Sequence, residues 1–193
     1  MRVFCVGVLF LFAVVANAQN ATEITQFRVE RVDDQIVASS NIVFELPTAV
    51  EDALLKGVPL YFILEADILR ERWYWYDRQM ASVKRHSRLA YQPLTRRWRL
   101  NVTAGAGREG GGGLALNQSF ATLEQALSAI KRVSQWQIAE VADLAPSVKY
   151  KVEFRFRLDL SQLPLPFQIG ALGQSEWDLT AGVTAPLVLT PAK

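Results

Sequence analysis

Between residues 149 and 160 apolar and charged side chains alternate without a break. Tyr150, Val152, Phe154, Phe156, Leu158 and Leu160 fall on one parity; Lys149, Lys151, Glu153, Arg155, Arg157 and Asp159 fall on the other. Period two sends the two sets to opposite faces, so 150–160 is predicted to be an antiparallel-type strand with one dry and one wet side. Residues 24–32 and 35–45 predict two more strands joined at Asp33-Asp34, a turn-forming pair. Residues 60–76 form a long β segment whose alternation slips at Ile68-Leu69, the mark of a bulge or a break. Further strands are predicted at 81–91, 97–103, 114–120 and 177–187.

Two short helices interrupt the strands. Thr48-Ala-Val-Glu51 has the form of a capping box, Pro47 precedes it, and Gly57 with Pro59 ends the helix. Thr122-Leu-Glu-Gln125 is a second such box, followed by an apolar stripe of Leu123, Ala126, Leu127 and Ile130 at i, i+3, i+4 and i+7. Further on, Pro164 and Pro166 predict an extended segment from Leu163 to Phe167, kept out of any central ladder. The whole predicts a mainly β fold: an antiparallel β-sandwich, immunoglobulin-like or related, with two short helices.

The N-terminus has a different pattern. Arg2 is followed by 13 apolar residues from Val3 to Val15 and then Ala16-Asn17-Ala18. This is the form of a signal peptide cleaved after Ala18. A permanent span needs about 20 apolar residues, so no transmembrane segment is expected after cleavage, although retention as an uncleaved anchor stays open. The expected product, 19–193, is one domain, large enough to bury a core without staples. Its lack of cysteine, Cys5 being removed with the leader, suits a bacterial periplasm or cell surface.

Catalytic hardware is sparse. His86 is the single histidine, set in Lys84-Arg85-His86-Ser87-Arg88. A Ser-His-Asp device would have to use it, and a zinc site would have no partner for it. Gly105-Ala-Gly107-Arg-Glu-Gly110 matches G-x-G-x-x-G in letters, but six glycines fall in residues 104–113 and a predicted strand follows instead of a helix. The segment therefore predicts a hairpin loop. No enzyme, cofactor or metal is expected.

Residues 70–99 hold nine basic and two acidic residues, a net of +7, interleaved with aromatic rings. Basic and aromatic residues together suit a nucleic-acid platform, which export argues against; an envelope polyanion or an acidic protein face fits better. Arg72, Trp73, Trp75, Arg85, Arg88, Arg96 and Arg97 are the expected partner-binding residues.

Lys56-Gly-Val-Pro-Leu-Tyr-Phe62, Arg72-Trp-Tyr-Trp75 with Asp77-Arg78, Tyr91-Gln-Pro-Leu-Thr-Arg96 with Trp98-Arg99, and Leu158-Asp-Leu-Ser-Gln-Leu-Pro-Leu-Pro-Phe-Gln168 followed by Trp177 occur in this order. Together they resemble the exported bacterial proteins of the domain of unknown function 4390 family. The resemblance implies a small Gram-negative envelope protein with an N-terminal signal, often encoded beside a membrane sensor kinase of the nitrogen-response type, which is an association and not a mechanism. It brings no established active site. The expected function is thus a non-enzymatic periplasmic or secreted module that contacts an envelope component or a membrane sensor protein. The alternative is a carbohydrate-binding or glycan-cleaving domain that stacks Trp73 and Trp75 on sugar faces.

Overall fold

A computed structural model of the chain describes residues 22–72, 74, 76–106, 114–145, 148–171 and 177–188. The expected leader, the glycine-rich segment from 107 onward, Trp73 and Trp75 lie outside the described residues. In order, the chain forms β1 (Glu23–Val32), β2 (Gln35–Val43), α1 (Thr48–Leu55), β3 (Leu60–Arg70), β4 (Arg78–Gln92), β5 (Arg97–Ala106), β6 (Leu114–Phe120), α2 (Leu123–Lys131), β7 (Arg132–Glu140), β8 (Tyr150–Leu158), α3 (Leu165–Ala171) and β9 (Thr180–Leu187). Single 3-10 turns occupy Val141–Asp143 and Leu160–Gln162.

The strands make two antiparallel sheets packed face to face, three strands in the order β1-β2-β7 over six in the order β6-β5-β4-β3-β8-β9. The expected antiparallel sandwich is therefore present. Its wide sheet is a β3-β4-β5-β6 meander extended by β8 and β9, unlike the immunoglobulin division into four and three strands.

The alternation at 150–158 puts Tyr150, Val152, Phe154 and Phe156 in the core and leaves Arg155 and Arg157 exposed. Phe156 stacks on Phe62 and Phe44, Phe27 meets Phe154 at 4.9 Å between ring centres, and Trp136 meets Phe154 edge-on. The contacts of Phe154 with Phe27 and Trp136 join the two sheets, Phe62–Phe156 ties neighbouring strands, and Phe44, just past the end of β2, caps that pair. Buried aromatics of this size dominate core energetics.

The slip at Ile68-Leu69 is a bulge, but its extra residue belongs to the neighbour. β3 pairs with β8 in unbroken register, whereas Ile68 faces Ala81 and Leu69 faces Gln79, so Met80 of β4 is the one left over.

Other differences from the sequence reading have local causes. The segment after Pro164 is helical, not extended. The Pro164 carbonyl accepts from Phe167 N–H at 2.9 Å and Gln168 N–H at 3.2 Å, and Pro166 sits in the first turn, where its missing N–H is no loss. The described residues thus form three helices, not two. Thr48 is already helical, and α1 starts from Pro47 with no side-chain cap; only the second box forms, Thr122 Oγ1 accepting from Gln125 N–H at 3.3 Å.

β7 is an entire strand that the periodicity does not signal. Its buried residues, Val133, Trp136, Ile138 and Ala139, are spaced three, two and one apart because two bulges interrupt its pairing with β2. No helix among the described residues is long and apolar enough to cross a membrane.

Candidate functional site

The basic segment folds into the β4–β5 hairpin, and strand parity divides its cations. Residues of β4 that pair with Leu60, Phe62, Leu64 and Ala66 of β3 point into the sandwich, and Arg85, opposite Leu64, is among them. Arg88 is opposite Tyr61 and so lies on the outer face, as do Lys84 and His86. The register of β5 adds Arg97 and Arg99 to that outer face, and β8 adds Arg155 and Arg157. Arg96 closes the turn between β4 and β5, exposed and at φ +50°. Arg72 follows β3 at the opposite end of the hairpin. β4 has 15 residues, which separates Arg72 from Arg96 by roughly 50 Å at about 3.4 Å per residue. Arg88, Arg96 and Arg97 therefore lie together, Arg85 is on the other face, and Arg72 is at the far end.

The outer face of the wide sheet has two halves. Around β3, β4 and β8 it is a lattice of paired charges. Lys84 Nζ meets Glu65 at 2.8 Å, Lys151 Nζ meets Asp77 at 2.8 Å and Glu153 at 3.2 Å, and Arg155 bridges Glu65, Glu153 and Asp67. Asp67 is buried and also accepts from Gln79 Nε2 at 2.8 Å. Glu65, Asp67, Gln79, Lys84, Glu153 and Arg155 line an open concavity of about 570 Å³. The lattice answers its own charges, so it offers little to a partner. The Lys151 ammonium, and then the Arg72 N–H, hold the Asp77 carboxyl below its usual range, while Asp77 and Glu153 raise Lys151.

Toward the β4–β5 turn the pairing stops. Among the described residues, Arg88, Arg96, Arg97 and Arg99 form no ion pair. Arg88 Nε donates to Tyr61 Oη at 3.1 Å and its guanidinium lies 5.9 Å from that ring centre. Arg97 donates to Ser119 Oγ at 2.9 Å and to the Ser119 carbonyl at 3.2 Å. These neutral anchors hold the guanidinium groups in place and leave their charge uncompensated. Among the described residues Arg157 reaches only Asp159, at 3.9 Å. His86 is exposed among these cations, between Ile63 and Thr103 of the neighbouring strands, and makes no hydrogen bond among the described residues.

Arg99 and Arg157 belong to this face but were not expected there. In the sequence Arg99 stands out only in the +7 total and in the Trp98-Arg99 motif, and Arg157 only as a wet-side residue of its strand. The signal that unites them with Arg88 is parity carried through strand register, which needs the turn at 93–96 to be known. The described tryptophans Trp98, Trp136 and Trp177 are buried. Among the described residues no group of His, Cys, Asp and Glu side chains could hold a metal ion.

No curated protein and no solved structure matches the chain. Residues 19–185 match the family described as Domain of unknown function (DUF4390). That span takes in both sheets nearly to their ends, and the chain belongs to this family.

Proposed function

We propose that the protein is an exported, non-enzymatic binding module whose contact surface is the basic outer face at the β4–β5 turn, and that its partner is an anionic component of the envelope or the acidic face of a membrane sensor protein. The observation that carries this reading is the division of one sheet face: its charges are paired in one half, and in the other Arg88, Arg96, Arg97 and Arg99 stand without counter-ions among the described residues. Unpaired cations held on a rigid strand scaffold attract anions at long range and cost little to order on contact. The leader-like pattern of residues 1–18 supports export, and an exposed, unengaged His86 suits a surface that works by contact.

The test is charge reversal of Arg97→Glu with Arg99→Glu, measured by co-sedimentation with vesicles containing anionic phospholipid and by pull-down of the sensor's extracytoplasmic part. Each cation near an anionic surface contributes about 1 kcal/mol, so retention on the true partner should fall by roughly two orders of magnitude or more. Unchanged retention on every partner that holds the wild type would overturn the assignment.

A further inference from the structure

The narrow sheet covers only part of the wide one. At about 4.8 Å between strands, three strands span about 10 Å and six span about 24 Å. β1 packs on β9, and β7 lies over β3 and β4, so β5 and β6 project beyond β7. α2 roofs one end of this projection, where Trp98 and Leu100 are buried. At the other end the core-facing parity is open among the described residues. Val102 and Ala104 of β5 are only half-buried, and Leu116 of β6, paired with Val102, is 59 % exposed.

Arg85 stands at the border of this open apolar shelf. Past the bulge, from Ala81 of β4 to the β4–β5 turn, and along β5 and β6, it is the one charged residue on the inward parity. Its guanidinium lies 5.0 Å from the Trp136 ring centre, and its Nε is buried with no partner. The side chain is half-buried and forms no ion pair among the described residues, so the Nη side is what remains for an anion. Burial pushes the guanidinium below its ordinary pKa. A partly desolvated, uncompensated charge in an apolar setting costs stability, and an apolar residue of similar volume is often the more stable choice there. Positions that break a rule of core composition in this way are where function is expected.

We infer that this shelf binds a free long-chain carboxylate, its head on Arg85 and its chain along Val102, Ala104 and Leu116. A single cation beside apolar walls matches a single anionic head with an apolar body. A polyanion would find one counter-charge, and a sugar would find few hydrogen-bonding groups. The site is on the face opposite the basic surface and is independent of it.

The experiment is calorimetric titration of the full chain with dodecanoate below its micellar concentration, with dodecanol as the uncharged control. Dodecanoate should bind at least ten-fold tighter than dodecanol. Arg85→Met should abolish that preference while its thermal midpoint equals or exceeds that of the wild type, and Arg97→Glu with Arg99→Glu should leave the binding unchanged. Equal affinity for the two amphiphiles, no uptake of dodecanoate, or a preference that survives in Arg85→Met would overturn the inference. So would an acidic apolar peptide that binds where dodecanoate does not. Should Arg85→Met fail to fold, Leu116→Asp carries the test: placed at an exposed position, it should lose dodecanoate, and its retention would overturn the site.

Discussion

Asp77 and Lys151 show how one ion pair fixes a loop and makes its stability depend on pH. Asp77 lies in the connection after β3, and Lys151 on β8 holds it there at 2.8 Å while Arg72 N–H donates to the same carboxylate at 3.3 Å. The Asp77 carboxyl is lowered, so its contribution is present above the unfolded value near 4 and is lost as pH falls through the lower folded value. Lys151 is raised, so its contribution is complete below the unfolded value near 10.4 and is lost as pH rises through the higher folded one. Lys151→Met should therefore lower stability across the neutral plateau and flatten its decline on the acid side, read from urea midpoints at a series of pH values. An unchanged acid limb would show the pair to be idle. A core residue gives the opposite extreme. Phe154 is fully buried and touches rings of both β1 and β7. Phe154→Ala should cost about 3–5 kcal/mol, a large share of a domain's usual 5–15.

The element scale shows which local rules are readable in isolation. α1 ends in a Schellman motif: Gly57 N–H bonds the Leu54 carbonyl at 2.9 Å, Val58 N–H bonds the Ala53 carbonyl at 3.0 Å, and Gly57 takes φ +86°. The sequence announces that stop because glycine is the residue that reaches this conformation cheaply. The space around Gly57 is open, so Gly57→Ala carries only the conformational penalty, about 1–2 kcal/mol, measurable by chemical denaturation. α3 escapes the same kind of reading because two prolines close together suggest an extended chain unless both fall at a helix start. Its Leu165 and Ile169 point outward, 71 % and 70 % exposed, so replacing both with serine should change stability by under about 0.5 kcal/mol each. β7 escapes because periodicity presumes an unbroken pleat. The spacing of Val133, Trp136 and Ile138 fits neither a regular strand nor a helix, and only the partner strand β2 makes sense of it.

At the scale of the whole molecule, alternation along 150–160 already required a two-layer sheet protein, because one dry face must meet another. What it could not specify was the unequal width of the layers, which depends on strand order and on where the edges fall. That inequality separates the cations of one hairpin onto two surfaces. Arg85 and Arg88 are three residues apart in sequence, and one faces inward against Trp136 while the other faces outward beside Tyr61. Substituting Arg88 and Arg97 together with glutamine should leave the far-ultraviolet circular dichroism and the melting midpoint within about 3 °C of wild type, since neither side chain answers a carboxylate. A larger loss would show that the basic face is scaffold.

Both outer strands of the narrow sheet carry an odd residue at the same level, flanking Ser39 and Ser40. Gln26 in β1 and Gln135 in β7 take φ +51° and +45°, and the register shifts at each. Removing either glutamine would restore plain alternation, since Ile24 would then sit two places from Phe27 and Val133 two from Trp136. The shortened chain should fold, but with β1 free of its kink and β7 keeping only the bulge at Ile138, and straighter borders invite pairing between molecules. Light scattering on the double deletion should register growing particles while the parent stays clear; a double deletion that stays equally clear would show that the bulges do not protect the edges.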